Sequence, residues 1–379
     1  MRRNVKTVLI NAMRAVLSAL YAICKLWPVD DRKVVFLSRQ SSSMTLDFRL
    51  LEQAILEECP DAHIVGIFNR MQPGWQAKFM FAIDVLRSLW HLATARVCVL
   101  DSYWPAVSLL KHRPSLTVIQ MWHSLGKVKR SGLCTVGLPG GRPADLARAL
   151  HMHEGYDWIV AGSSAWNPFY CDSFGCEESQ ILNFGLPRMD ALVPAALEKT
   201  AESVLRRCPE LKHRRVVLYA PTFRRTGSAV FDDFAEALAD RDYELVVKAH
   251  PNQAICVPGA LTCDGVAAFD LLSVADVVIT DYSAIALEAA AANIPTLYYL
   301  YDLEEYRQST GMNIDIEKEM PSCVHVGAQS LAAAISDALE GRYPLQELER
   351  YRRKFLISDM GHSAPDLARF IVGNLHDKE

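Results

Sequence analysis

Apolar residues fall along this chain in short runs, each closed by polar or turn residues and followed by a longer stretch of helical spacing. In the first half, residues 34–37, 63–68, 97–100, 116–119 and 158–160 read as strands, with helices over 46–58 and 75–93. A second set follows: helix 195–207, strand 215–219, helix 231–239, and strands 243–247, 277–279, 296–299 and 323–326. The runs are continuously apolar rather than alternating, which marks strands buried on both faces of a parallel sheet. Strand–helix alternation of this kind predicts doubly wound α/β domains. Turn residues cluster over 185–194, so the expected division is 29–188 and 189–379, with the last helix free to cross back to the first domain. The 379 residues are enough for two such domains. Two of them facing a cleft would place ligands at the carboxyl ends of the strands.

Residues 1–28 stand apart. Arg2, Arg3 and Lys6 precede an apolar run from Val8 to Trp27, interrupted by Arg14 and Lys25. No clean small-residue cleavage site follows, as a signal peptide would need, and the interruptions weigh against a spanning helix. A basic amphipathic helix lying on an anionic membrane surface fits better; the alternative is a helix packed on the body of the protein. Residues 75–93 carry Trp75, Phe79, Phe81, Leu86, Leu89 and Trp90 among Lys78 and Arg87, a mixture that suits a second interfacial contact or a buried domain face equally.

Composition narrows the partners. A net charge of −4 argues against bulk nucleic-acid binding. The ten cysteines are scattered, with no CxxC pair and no zinc spacing, so neither a structural metal nor a disulfide framework is expected.

The chemistry collects at strand ends. The run 277–279 turns through Thr280-Asp281-Tyr282-Ser283 into an Ala-rich helix, a place where free N–H groups and the helix dipole suit a phosphate. Ser283 is expected as N-cap or hydroxyl donor, and Glu288, one turn on, as a carboxylate for ribose hydroxyls; the alternative is a capped helix with a solvent-exposed Glu. Strand 116–119 runs into Trp122-His123-Ser124, followed by Lys127, Lys129 and Arg130, which reads as a base beside a basic rim. After strand 215–219, Pro221 fixes a turn that presents Thr222 and Arg224 to an anion. Lys248 and His250 alternate at the end of strand 243–247 and so point the same way. At the hinge, Arg188 and Asp190 are expected to pair with each other.

Trp122-His123, then APTFR, KAHP and TDYSA with a following Glu, in this order and with GLPRMD at the hinge, resemble the CDP-glycerol glycerophosphotransferase family of teichoic-acid-type polyol-phosphate transferases. The resemblance covers roughly residues 30–360. It departs from the family at Ser124, where Gly is common, and at Ala284, where a second Ser is common. It implies a GT-B-like pair of Rossmann-type domains, the first on the acceptor side and the second binding the nucleotide. Thr222, Arg224, Lys248, His250, Thr280, Asp281, Tyr282 and Ser283 would hold the donor diphosphate, and Glu288 the ribose. Trp122, Ser124 and Lys127 would line the acceptor side. His123 would take a proton from a hydroxyl of a lipid-linked glycan or polyol-phosphate acceptor as it attacks a CDP-alditol, releasing CMP at the cytoplasmic face of the membrane. His250, with Arg224, would stabilise the phosphate charge. No cofactor is required, and a loosely bound Mg²⁺ stays open.

Two rival readings remain. One is a GT-B glycosyltransferase or nucleotide-sugar epimerase that takes a UDP-sugar. The other is a membrane-bound scaffold with a degenerate site. Glycerol against ribitol, one addition against many, and assembly as a homo-oligomer are all open at this level.

Overall fold

The structure, a computed structural model, describes residues 2–138, 141–222, 231–239, 241–249, 257–309 and 311–376. The chain forms two compact units: residues 1–188 with 362–379, and residues 189–361.

The first unit is built on six parallel strands: β1 (Lys33–Ser38), β2 (His63–Phe68), β3 (Val97–Leu100), β4 (Thr117–Gln120), β5 (Trp158–Val160) and β6 (Ile181–Leu182). Their order is β2-β1-β3-β4-β5-β6. Strands β1, β3 and β4 are buried along their whole length, as continuous apolar runs require. The two-residue β6 is too short to register as a strand in the sequence pattern. Helix α2 (Leu46–Glu58) turns Phe48, Leu51 and Ile55 inward, one helical stripe, and Phe48 meets Phe36 of β1 at 4.8 Å. Against α2 lies the terminal helix Ser363–His376, whose buried stripe is Leu367, Ala368, Ile371 and Leu375. Phe370 packs edge-on to Trp158 of β5, and Asn374 accepts from the Thr117 hydroxyl. That helix therefore belongs to the first unit, and a second domain drawn as 189–379 ends too late.

Helix α1 (Arg2–Cys24) docks on the same unit through one face. Leu17 and Tyr21 are buried, Tyr21 Oη bonds His112 Nδ1 at 2.8 Å, and Arg14 reaches His151 Nε2 at 2.7 Å. Its other face leaves Val8, Leu9, Val16 and Ile23 exposed. Helix α3 (Trp75–Thr94), which packs beside α1, leaves Trp75, Phe79 and Met80 exposed. The stretch Thr7–Cys24 is long and apolar enough to cross a membrane by length and composition alone. Packing on the body and an outward apolar face, set as alternatives by the sequence, coexist in one helix.

The second unit carries five parallel strands: β7 (Val216–Tyr219), β8 (Glu244–Val247), β9 (Val277–Thr280), β10 (Thr296–Tyr299) and β11 (Val324–His325), in the order β11-β10-β9-β7-β8. In each sheet the strand order reverses once, between β1 and β3 and between β7 and β9. Ligands of doubly wound folds collect at the carboxyl ends beside such reversals.

Candidate functional site: strand-end clusters in both units

In the first unit the carboxyl ends of β1, β3 and β4 bring together Ser38 and Arg39, Asp101 and Ser102, and the Trp122-His123 pair. Trp122 adopts φ 65, a left-handed backbone that a bulky residue enters only when its surroundings hold it there. Its N–H donates to Gln120 Oε1 at 2.9 Å. This turn stacks the Trp122 ring on His123 at 4.0 Å. His123 Nδ1 lies 2.7 Å from the Asp101 carbonyl oxygen. A carbonyl only accepts, so Nδ1 carries the proton and Nε2 holds the free lone pair. Burial, with Lys127 and Arg188 adding to it, pulls the His123 pKa down to about 4, so the ring is neutral at pH 7. A neutral imidazole with a fixed tautomer and an unprotonated Nε2 is the state a general base needs.

Lys127 is not part of a basic rim. It is 2 % exposed, and its ammonium sits 3.8 Å from the Trp122 ring centre, 4.1 Å from Phe174 and 5.1 Å from Tyr170, donating to Ser131 Oγ at 3.0 Å. Burial drives its pKa well down, while the aromatic faces favour the charge. Gly126, just before it, has φ 69, and a Cβ there would stand 2.4 Å from the buried Trp166 ring; only glycine carries the chain past that ring. Ser124 is half-buried, and its carbonyl accepts from Tyr170 Oη at 3.4 Å. Arg188 has a partner besides the Asp190 that the sequence offers. It grips the buried Asp47 of α2, its Nε donating to both carboxylate oxygens at 3.1 and 2.9 Å and its backbone N–H to Oδ1 at 2.9 Å. The hinge arginine is thus anchored within the first unit.

The sequence reading missed four neighbours of His123. Asp101, whose carboxyl is pushed up to about 6 by burial, accepts from Ser38 Oγ at 2.7 Å. His153, also at φ 65, is buried and held down to about 3. Arg39 and Arg142 line a cavity of about 320 Å³ with His123. None sits in a recognisable motif; the left-handed histidine and the arginine closing β1 are the only local signals.

In the second unit, the loops after β7 and β9 are laced together by Asp281. Both its carboxylate oxygens accept from the Thr222 N–H at 3.0 Å, and Oδ1 also accepts from the Tyr282 N–H at 2.6 Å. Thr280 Oγ1 donates to the Ala220 carbonyl at 2.7 Å. Tyr282 is buried, donating to Asp302 at 3.1 Å and stacked on Tyr306 at 3.7 Å. The side chains of Thr280, Asp281 and Tyr282 thus shape the loop. Ser283 is not the N-cap: Ala284 holds that place before the helix Ile285–Ala291, and Ser283 stays half-buried with its carbonyl accepting from Ala286. Glu288 is buried, which excludes the solvent-exposed alternative.

Lys248 follows β8, but its ammonium binds the carbonyls of Thr262 and Cys263 at 2.9 and 3.3 Å, so it secures a loop. Arg224 and His250 lie outside the described residues. The fold also brings Cys263 to Cys208 and Glu210, with ligand atoms within 4.8 Å of one another. Burial and the neighbouring Cys208 push the Cys263 thiol up to about 12, so it sits protonated.

The comparisons with known proteins agree on a family. The sequence profile of the CDP-glycerol:poly(glycerophosphate) glycerophosphotransferase family matches residues 19–373. The teichoic acid ribitol-phosphate primase of Bacillus spizizenii is 28 % identical over 97 % of each chain. The teichoic acid glycerol-phosphate primase of Bacillus subtilis is 26 % identical over 76 % of each. Among solved structures, the wall teichoic acid polymerase TagF matches with a TM-score of 0.77 at 18 % identity, covering 99 % of this chain and 97 % of that one. A UDP-GlcNAc 2-epimerase from Neisseria meningitidis matches with a TM-score of 0.54 at 15 % identity, over 90 % of this chain and 99 % of its own. The fold is α/β and GT-B-like. With its profile matched over nearly the whole length, the chain belongs to the CDP-glycerol:poly(glycerophosphate) glycerophosphotransferase family.

Proposed function

We propose that the protein transfers a polyol phosphate, glycerol or ribitol phosphate, from a CDP-alditol to a hydroxyl of a lipid-linked glycan or polyol-phosphate acceptor, and releases CMP. The observation that carries this reading is the tautomer of His123, with Nδ1 donating to the Asp101 carbonyl and Nε2 free to accept. The acceptor oxygen attacks the β-phosphorus, a new P–O bond forms, and the bond to the CMP oxygen breaks. Nε2 takes the hydroxyl proton as this happens. An anion held beside the imidazole raises its proton affinity, so substrate binding lifts the base from its low resting pKa.

On the donor side, Thr222, Ser283 and the N–H groups of the β9 loop hold the diphosphate, with Arg224 and His250 adding positive charge. Asp281 is a positioning residue that keeps two of these segments together. Glu288 holds the ribose. On the acceptor side, Trp122 and the caged Lys127 fix the His123 ring, and Ser124 borders the acceptor. The outward apolar faces of α1 and α3 support attachment to the cytoplasmic membrane surface, where a lipid-linked acceptor resides.

The direct experiment incubates purified protein with CDP-glycerol, CDP-ribitol and UDP-GlcNAc, each with a short lipid-linked acceptor. Release of CMP with extension of the acceptor is the expected result. UDP release alone, or no turnover of either CDP-alditol, would sink the reading. Attachment is tested by flotation on anionic vesicles: Val16→Asp with Phe79→Asp should leave the protein in the soluble fraction, and continued flotation would place the anchor elsewhere.

A further inference from the structure

The cavity that holds His123 also holds two guanidinium groups for which the catalytic scheme above has no use. Arg39 follows directly on β1, and its Nη1 donates to the Tyr103 carbonyl at 3.2 Å. Its Nε is shielded from solvent and has no hydrogen-bond partner among the described residues. Arg142 lies over the ring of the same tyrosine, 5.1 Å from its centre. Both line the cavity of about 320 Å³ beside His123, Trp122 and His153, a volume that suits a small polar ligand. Burial and the nearby Arg142 lower the Arg39 pKa, a sign of two like charges held close.

Among the described residues, neither arginine forms an ion pair with a carboxylate. Of the nearby acids, Asp47 is paired with Arg188, while Asp101 accepts from the Ser38 hydroxyl and its Oδ1 has no hydrogen-bond partner among the described residues. Two half-buried cations brought together with no direct ion pair make a strongly positive surface, which an anionic group would neutralise. Planar donor forks match the oxygens of a phosphate, and this cavity also contains the atom that must face the reacting hydroxyl.

We propose that Arg39 and Arg142 form a subsite for a phosphate belonging to the acceptor, so that the substrate on this side is a polyol or glycan end carrying a phosphodiester next to the hydroxyl that reacts. A bare saccharide end leaves the two guanidinium groups unneutralised and binds poorly. The proposal rests on the transferase reading, and the two can fail separately.

The first measurement needs no donor and no turnover. Calorimetric titration with α-glycerol phosphate, and with glycerol as control, compares the full-length protein with Arg39→Gln, Arg142→Gln and Arg142→Lys. Wild type should bind the phosphate and not the alcohol. Each Gln variant should weaken that binding roughly tenfold or more, the loss expected for a charge-assisted hydrogen bond, and the Lys variant should lose less. The second measurement is steady-state transfer to two lipid-linked acceptors that differ only in a terminal glycerol phosphate. The KM for the phosphate-ended acceptor should rise about tenfold in Arg142→Gln, while the KM for CDP-alditol moves by less than about twofold.

Equal binding of α-glycerol phosphate by wild type and variants would overturn the subsite, as would a rise in the donor KM in place of the acceptor KM. Arginine-dependent phosphate binding without any turnover of a CDP-alditol would sink the transferase reading and leave the subsite standing. Transfer that ignores both substitutions would do the reverse. Should Arg39→Gln lower the melting temperature, the Arg142 variants, at a residue whose side chain no hydrogen bond holds among the described residues, carry the comparison.

Discussion

In the six-stranded unit the groups at the strand ends are ionisable side chains withdrawn from water: His123 near 4, His153 near 3 and Asp101 near 6, beside a caged Lys127. In the five-stranded unit they are backbone amides and hydroxyls tied by one carboxylate, Asp281. The first arrangement suits moving a proton, because small changes in surroundings shift large pKa differences. The second suits gripping an anion, because amide donors need no protonation state. On the function proposed above, the two tasks fall to different units.

The contrast breaks most sharply at His123. His123→Ala should lower the transfer rate constant by roughly 10²–10⁴ and leave the donor KM within a few-fold. An unchanged rate would move the base elsewhere. In the other unit, Asp281→Ala should act the opposite way. It strands the N–H groups of Thr222 and Tyr282, costs about 1–3 kcal/mol of stability, and raises the donor KM roughly tenfold with a smaller change in kcat. A kcat loss without a KM change would deny the division of labour.

Acid should destabilise the histidine-rich unit first. His91, His123 and His153 have folded pKa values of about 4, 4 and 3, below the ordinary 6.5, so the unfolded chain binds more protons. Stability is therefore complete above about pH 6.5 and is lost as the pH falls toward 4 and 3. Asp101, raised to about 6 from 3.8, has the opposite sign and offsets part of that loss. Urea melts between pH 7 and 4 should show falling stability; a flat profile would mean that the histidines are hydrated. The smallest effect is expected for Lys127→Met. Methionine fills the aromatic cage, and removal of a like charge raises the His123 pKa, so the acid limb of kcat/KM moves to higher pH. An unmoved limb would show that the Lys127 charge does not reach the imidazole.

Much of this was legible from the chain alone. The bounds of α2, β2, β3, β5 and β10 follow from apolar runs cut by polar turns; β3 and β10 are buried throughout and tolerate no interruption, whereas β2 lies at the sheet edge with only Ile67 buried. The candidate motifs fall at strand ends for the same reason. Lys127 was misread because a lysine after a histidine and small residues looks like a surface cation, and only the packing of Trp122, Tyr170 and Phe174 around it makes burial tolerable. The Asp47 partner of Arg188 was missed because it lies 141 residues away in the chain.

The chain's local pattern is therefore enough to say which segments are strands, where each ends, and which chemistry-bearing residues stand at those ends. Short-range sterics and hydrophobic periodicity act over a few residues and need no partner. Folding in three dimensions settles which distant groups meet: the Asp101 carbonyl that sets the His123 tautomer, the terminal helix that joins the first unit, and the two arginines that share one tyrosine. Such pairings depend on the order of strands in the sheet and on burial, and neither is written into any single stretch of the chain.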